Sequence, residues 1–109
     1  MSFKFDEAMA WWLNGAIGII TKGNEDKPFS YALTCIPGRK YVKVVRKDVW
    51  NGKIVEDSGS AFAFIDKTTG NVLKPASWKA PAAGVRGNIY NEDRGLNCVG
   101  RYGIAYLRG

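Results

Sequence analysis

Turn signals recur about every ten residues through most of this chain, and that punctuation limits it to short elements. Pro37-Gly38, Asn51-Gly52, Ser58-Gly59 and 66-DKTTGN-71 are the breaks. Between them, 29-FSYALTCI-36 sets Phe29, Tyr31, Leu33 and Cys35 against Ser30, Ala32 and Thr34, the two-residue period of a half-buried strand. A second strand is expected in 39-RKYVKVVRKDVW-50, ending at Asn51-Gly52, a dipeptide that favours a tight hairpin. More strand material lies in 53-KIVEDSGSAFAFID-66 and at Val72-Leu73. Ahead of these, 5-FDEAMAWWLN-14 places Phe5, Ala8, Met9, Trp12 and Leu13 at helical spacing, with Asp6 and Glu7 where a helix start favours negative charge. That pattern predicts a short amphipathic helix stopping at Asn14-Gly15, followed by a short strand at 16-AIGII-20 and a loop at 22-KGNEDKP-28. The end, 100-GRYGIAYLRG-109, reads as one more aromatic strand, able to close a sheet edge or to pair with a neighbour's. The expected fold is mostly β: an N-terminal α-helix and then a meander forming a small antiparallel β-barrel or sandwich, in a single domain over 1-109.

A chain of 109 residues builds a small core, for which oligomerisation is a natural supplement. No apolar run approaches the roughly 18 to 20 residues that span a bilayer, and MSFKFDEAM lacks a signal peptide's basic and apolar regions. A cytoplasmic protein without a membrane role is expected. Cys35 and Cys98 form no CxxC and the chain has no histidine, so the usual mixed Cys/His zinc site is excluded and two reduced, packed thiols are expected. The missing histidine also removes the commonest general base. Asp6-Glu7, Glu25-Asp26, Glu56-Asp57 and Glu92-Asp93 are adjacent pairs at a helix start or in turns, which reads as solvated carboxylates, and no GxxxxGK[ST] or GxGxxG loop is present. The chain is therefore expected not to be an enzyme, with no catalytic residue, metal or cofactor.

Charge is the more informative signal. Lys and Arg number 16 against 10 Asp and Glu, giving +6 and a pI near 9.5. The cations concentrate: Arg39, Lys40, Lys43, Arg46, Lys47 and Lys53 surround the single acid Asp48, and Lys74, Lys79 and Arg86 lie in a stretch with none. In the strand, Tyr41, Lys43, Val45 and Lys47 share one face and Val42, Val44 and Arg46 the other. Such a face either contacts nucleic acid or merely keeps an edge strand from aggregating. In 74-KPASWKAPAAGVRGN-88, Pro75 and Pro81 keep Trp78 out of an interior strand. Trp78 then plugs the open end of a barrel, anchors a protein partner, or offers its face to a base, a stack worth about 1 to 3 kcal/mol. The stretch 84-GVRGNIY-90 reads as a tight turn presenting Arg86.

The phrase 62-FAFIDKTTGNVLKPASWKAPAAGVRGN-88, with 102-YGIAYLR-108 in support, resembles a family of small marine-phage proteins, many of cyanophage origin. The resemblance is carried by the larger, C-terminal part of the chain. It implies an Sm-like fold, in which an N-terminal helix precedes a strongly bent, five-stranded antiparallel β-barrel. Sm and LSm proteins assemble as rings and bind single-stranded RNA through loops near the pore. The segment 85-VRGNI-89 is similar to the second Sm motif, making Arg86, Gly87 and Asn88 candidate nucleic-acid contacts. For the Asp and Asn of the first motif, Asp66 to Asn71 and Asp48 to Asn51 have comparable claims. The resulting expectation is a phage-encoded Sm-like homo-oligomeric ring in the host cytoplasm that binds RNA or single-stranded DNA. Trp78 would stack, and Arg39, Lys40, Lys43, Arg46, Lys47, Lys74, Lys79 and Arg86 would meet phosphate. The alternative is a protein-interaction module docking on a host protein, with Trp11, Trp50 and Trp78 as anchors.

Overall fold

The computed structural model describes residues 3–101, 103 and 104. One helix, α1 (Phe3–Thr21), precedes β1 (Phe29–Pro37), β2 (Tyr41–Trp50), β3 (Lys53–Ile54), β4 (Ser60–Asp66), β5 (Asn71–Pro75) and β6 (Pro81–Asn88). A small hairpin of β7 (Val99–Gly100) and β8 (Gly103–Ile104) follows. The main sheet is an antiparallel meander in the order β1-β2-β4-β5-β6, with β3 paired to the end of β2. The protein is thus mostly β with an N-terminal helix, as its turn spacing predicts. The sheet is not closed into a barrel: among the described residues, β1 pairs only with β2 and β6 only with β5.

The helix is longer than its sequence signals predict. It runs through Asn14-Gly15 and absorbs 16-AIGII-20, the expected short strand. Gly15 normally disfavours a helix interior by about 1 kcal/mol relative to alanine, but packing outweighs propensity in a folded chain. A Cβ at Gly15 would lie 2.5 Å from Leu96 Cδ1, so the bare backbone is what lets that side chain close on the helix. Beyond it, buried Ala16 and Ile20 continue the stripe of Phe5, Ala8, Met9 and Trp12. The helix stops at Thr21, where the loop over 22–28 begins at Gly23, whose φ is +91°.

That stripe packs against Val42, Val44, Phe62, Ala63, Ile65, Val72 and Ile89 in one cluster. Strict alternation would send Phe62 to the face that holds Phe64. A bulge prevents this, because Val44 pairs with Ala63 while Val45 pairs with Ala61, leaving Phe62 as the extra residue. Phe62 meets the Trp12 ring edge-on, 6.2 Å between centroids. Trp12 is 0% exposed, and its Nε1 donates to the Gly95 carbonyl at 3.2 Å, tying the helix to the loop that closes the core. Gly95 itself has φ +75°, and a Cβ there would lie 3.2 Å from the Asn88 backbone and from Trp12 Cδ1.

The expected terminal strand is represented by β7 and β8, which pair with each other. The rest of 100–109, Tyr102 and 105–109, lies outside the described residues. No helix among the described residues is long and apolar enough to cross a membrane.

Trp12→Phe should lower the unfolding free energy by about 1 to 3 kcal/mol, from lost indole volume and from the loss of one of the two donors on the Gly95 carbonyl, which keeps Cys98 Sγ at 3.3 Å. Urea denaturation checks it: the midpoint falls while the slope is unchanged.

Candidate nucleic-acid interface

The face of the sheet turned away from α1 carries the site. Register partners share a face, and one row crosses all five principal strands: Ile36 pairs with Lys43, Lys43 with Phe64, Phe64 with Leu73 and Leu73 with Val85. Phe64 and Leu73 are buried, yet neither belongs to the helix-side cluster. Tyr41 meets Phe64 edge-on, 6.0 Å between ring centroids, and the β5–β6 hairpin lies beside them. Pro75 and Pro81 face one another at its neck, and beyond them the Ala76 and Ser77 amides both donate to the Ala80 carbonyl, at 3.0 and 3.1 Å. The tip folds back across β4, placing the Trp78 ring 3.9 Å from Lys43 Nζ on β2. A cation so close to an indole face is attracted by its quadrupole, worth about 0.5 to 1 kcal/mol at an exposed site. Trp78 is 47% exposed, so it is not a buried plug, and Ala76 to Lys79 form a loop outside the strands, as the flanking prolines predict.

Between this tip and the β1–β2 turn lies a hollow of about 210 Å³, lined by Ile36, Arg39, Lys40, Tyr41, Lys43, Phe64 and Lys79, with Gly38 at its rim. Its lining holds four cations and no carboxylate. The two basic blocks of the sequence therefore meet here. The turn that presents Arg39 and Lys40 is held from both sides: Gly38 N donates to Tyr41 O at 2.8 Å, and Lys67 gives its amide to Lys40 O and its ammonium to Gly38 O, each at 3.0 Å. Lys67 belongs to the β4–β5 turn, in which Asp66 Oδ1 accepts the Thr68 and Thr69 amides at 2.8 and 3.0 Å. Asp66 to Asn71 thus stands beside the hollow. Asp48 to Asn51 instead runs from β2 into the β2–β3 hairpin, where Asn51 (φ +51°) and Gly52 (φ +80°) make the tight turn their sequence favours.

What each predicted cation already holds separates them. Lys43 and Lys40 rest over aromatic rings, Lys40 at 5.3 Å from Tyr41, and no side-chain hydrogen bond to protein engages Arg39, Lys40, Lys43 or Lys79 among the described residues. Lys47 Nζ, by contrast, donates to the Glu56 carbonyl at 2.9 Å and Lys74 Nζ to the Ile104 carbonyl at 2.8 Å. Arg46 shares its register with Leu33 and lies 5.1 Å from the Tyr31 ring, on the helix side of the sheet.

The segment from Arg86 to Asn88 lies within β6, not in a turn. Arg86 Nη1 donates to the Ala83 and Gly84 carbonyls at 2.8 and 2.6 Å, and its Nε is buried. Gly87 is where the chain passes closely under Cys98, whose Sγ would be 3.1 Å from a Cβ. Asn88 Nδ2 donates to Thr69 O and Asn71 Oδ1, both at 2.8 Å, while its Oδ1 accepts the Tyr90 amide. The three residues are joined to the fold and do not converge on the hollow.

Tyr41, Phe64 and Ile36 complete the lining without having been singled out as contacts. Tyr41 was visible as a neighbour of Lys43 by alternation, whereas the facing of Phe64 depends on the Phe62 bulge. Among the described residues no group of three or more Cys, Asp or Glu side chains is placed to hold a metal. Among the described residues three groups are shifted, all outside the hollow: the bond from its own backbone amide, then that from Gly23, pulls Glu25 down, burial pushes the Cys98 thiol up, and partial desolvation does the same to Cys35, which is exposed rather than packed as expected.

Helix, open meander and cationic hollow describe a small, mostly β domain with a basic surface depression. A family of unknown function, DUF7717, matches residues 6–106, so the chain belongs to that family. No curated protein and no solved structure matches it.

The difference between engaged and unengaged cations has a measurable form. Arg86→Ala should cost about 1 to 3 kcal/mol of stability, since two carbonyls lose a charged donor, while Lys79→Ala stays within about 0.5 kcal/mol. Parallel urea melts of the two variants give the comparison.

Proposed function

We propose that this protein is an Sm-like, non-enzymatic binder of single-stranded RNA or DNA, acting as a homo-oligomeric ring. The observation that carries the reading is the Trp78 ring beside a hollow with no acid in its lining, whose four cations make no side-chain hydrogen bond to protein among the described residues. An aromatic face accepts any base, and Lys and Arg donors around it meet phosphates, which gives affinity with little sequence preference. Arg39, Lys40, Lys43 and Lys79 are the phosphate contacts in this scheme, and Tyr41 is a second aromatic surface. The helix followed by five principal antiparallel strands has the element order of the Sm-like resemblance. Among the described residues the edges at β1 and β6 have no further strand beside them, which is main chain on which neighbouring subunits can join, and a ring multiplies weak contacts by avidity. Phage origin and action in the host cytoplasm go with the same resemblance. A second reading, docking on a host protein, is favoured by the exposure of Trp11 and Trp50 at 58% and 53%.

Fluorescence anisotropy with labelled single-stranded RNA and DNA across a salt series tests the proposal. Trp78→Ala should weaken binding about 5- to 150-fold, the worth of one base stack, with the salt slope preserved. Lys43→Gln and Lys79→Gln should each lower that slope by about 1. No anisotropy change even at low salt would end the reading. A host protein lost on Trp78→Ala, with strand binding unaltered, would replace it with the second.

A further inference from the structure

A larger hollow, of about 340 Å³, lies on the helix side of the molecule and shares no residue with the Trp78 site. Small-molecule sites typically fall in the range of about 300 to 1,000 Å³. Lys4, Glu7 and Trp11 project into it from one face of α1, at the spacing i, i+3, i+7. Ile89, Tyr90 and Arg94 face them from the segment that follows β6. The cations cross over: Arg94, from the loop, covers the Trp11 ring at 4.4 Å, and Lys4, from the helix, lies 5.3 Å from the Tyr90 ring. No hydrogen bond to protein engages either cationic side chain among the described residues.

Arg94 is also held in an unusual backbone state. Its φ is +58°, and among the described residues the only other non-glycine with positive φ is Asn51, which its hairpin turn explains. The loop enforces this conformation. Arg94 N donates to Asn91 O at 2.9 Å, Asp93 Oδ1 accepts Gly95 N at 3.0 Å, and the Gly95 carbonyl is fastened to Trp12. Local strain that the surrounding structure overdetermines is characteristic of ligand sites, where it fixes a side chain in advance.

We propose that this cleft binds a nucleoside 5′-monophosphate group. The phosphate sits between Lys4 and the Arg94 fork, whose in-plane donors match its oxygens. Arg94 and Lys4 turn from the Trp11 and Tyr90 rings to the phosphate, and the base takes a ring face so freed. Glu7 accepts a hydrogen bond from an exocyclic amino group, favouring adenine or cytosine over uracil. The same chemistry is presented by a free nucleotide and by the 5′-phosphorylated end of a strand. The inference stands apart from strand binding at Trp78, so failure of either leaves the other intact.

Calorimetric titration of the full chain with 5′-AMP should show saturable binding, weaker for 5′-UMP. Arg94→Gly should weaken it by at least about tenfold, the loss of a charge-assisted hydrogen bond. Glycine adopts this φ without strain, so the variant keeps its fold, which a thermal melt verifies. Oligoadenylate with a 5′-phosphate, compared with its 5′-hydroxyl form, separates the two sources. A preference for the phosphorylated strand assigns the site to strand ends, and binding of AMP alone assigns it to free nucleotide. If neither AMP nor the phosphate end is preferred, or AMP binding is unaltered by Arg94→Gly, the proposal is overturned. Equal affinity for AMP and UMP overturns the role given to Glu7.

Discussion

The indole of Trp12 is the point on which three otherwise separate parts of the chain converge. Its ring fills the space between α1 and the bulge at Phe62, and its N–H holds the Gly95 carbonyl. Removing water from so large a side chain supplies a sizeable share of a small domain's apolar burial. The single polar atom it carries cannot be left without a partner. The loop over 91–98 is therefore brought to the helix by the same residue that seats the helix on the sheet. The cleft at Trp11 and Arg94 is built on this junction, since Gly95 follows Arg94 directly.

Net charge alone says little about function, because a basic protein can place its cations anywhere. Here the distribution of hydrogen bonds is more telling. Lys47, Lys67, Lys74 and Arg86 reach back to main-chain carbonyls and act as struts. Arg39, Lys40, Lys43 and Lys79 converge on one hollow without such bonds, and two of them lie against aromatic rings. A guanidinium tied to its own strand must give up those bonds before meeting a phosphate, whereas an ammonium resting on a ring keeps its donors.

Local rules read the strands well, because Pro-Gly and Asn-Gly punctuation and two-residue alternation are properties of short segments. They failed where a long-range contact outweighed a local preference. Asn14-Gly15 is a good helix stop in isolation, and only Leu96, more than eighty residues away, turns Gly15 into a packing position. The meeting of Lys43 with Trp78 depends on a hairpin crossing β4, which no spacing encodes. Conversely, the glycines around Arg86 suggested a turn, and the structure uses one of them for close packing against Cys98 inside a strand. The cleft around Trp11 escaped notice because its loop half is strung along an acidic, turn-rich segment that reads as solvent-exposed.

The facing prolines of the β5–β6 hairpin have a consequence for fidelity of alignment. Neither ring carries an N–H, so Pro75 and Pro81 suit a position where the ladder asks nothing of them. A slip of the hairpin would bring one of them opposite a carbonyl in need of a donor, in a pair already interrupted by two irregularities. The prolines therefore act as a pawl: the strands can zip up to them in one alignment only. The tryptophan at the tip then always emerges at the same residue count from the sheet, on the side where Lys43 is waiting.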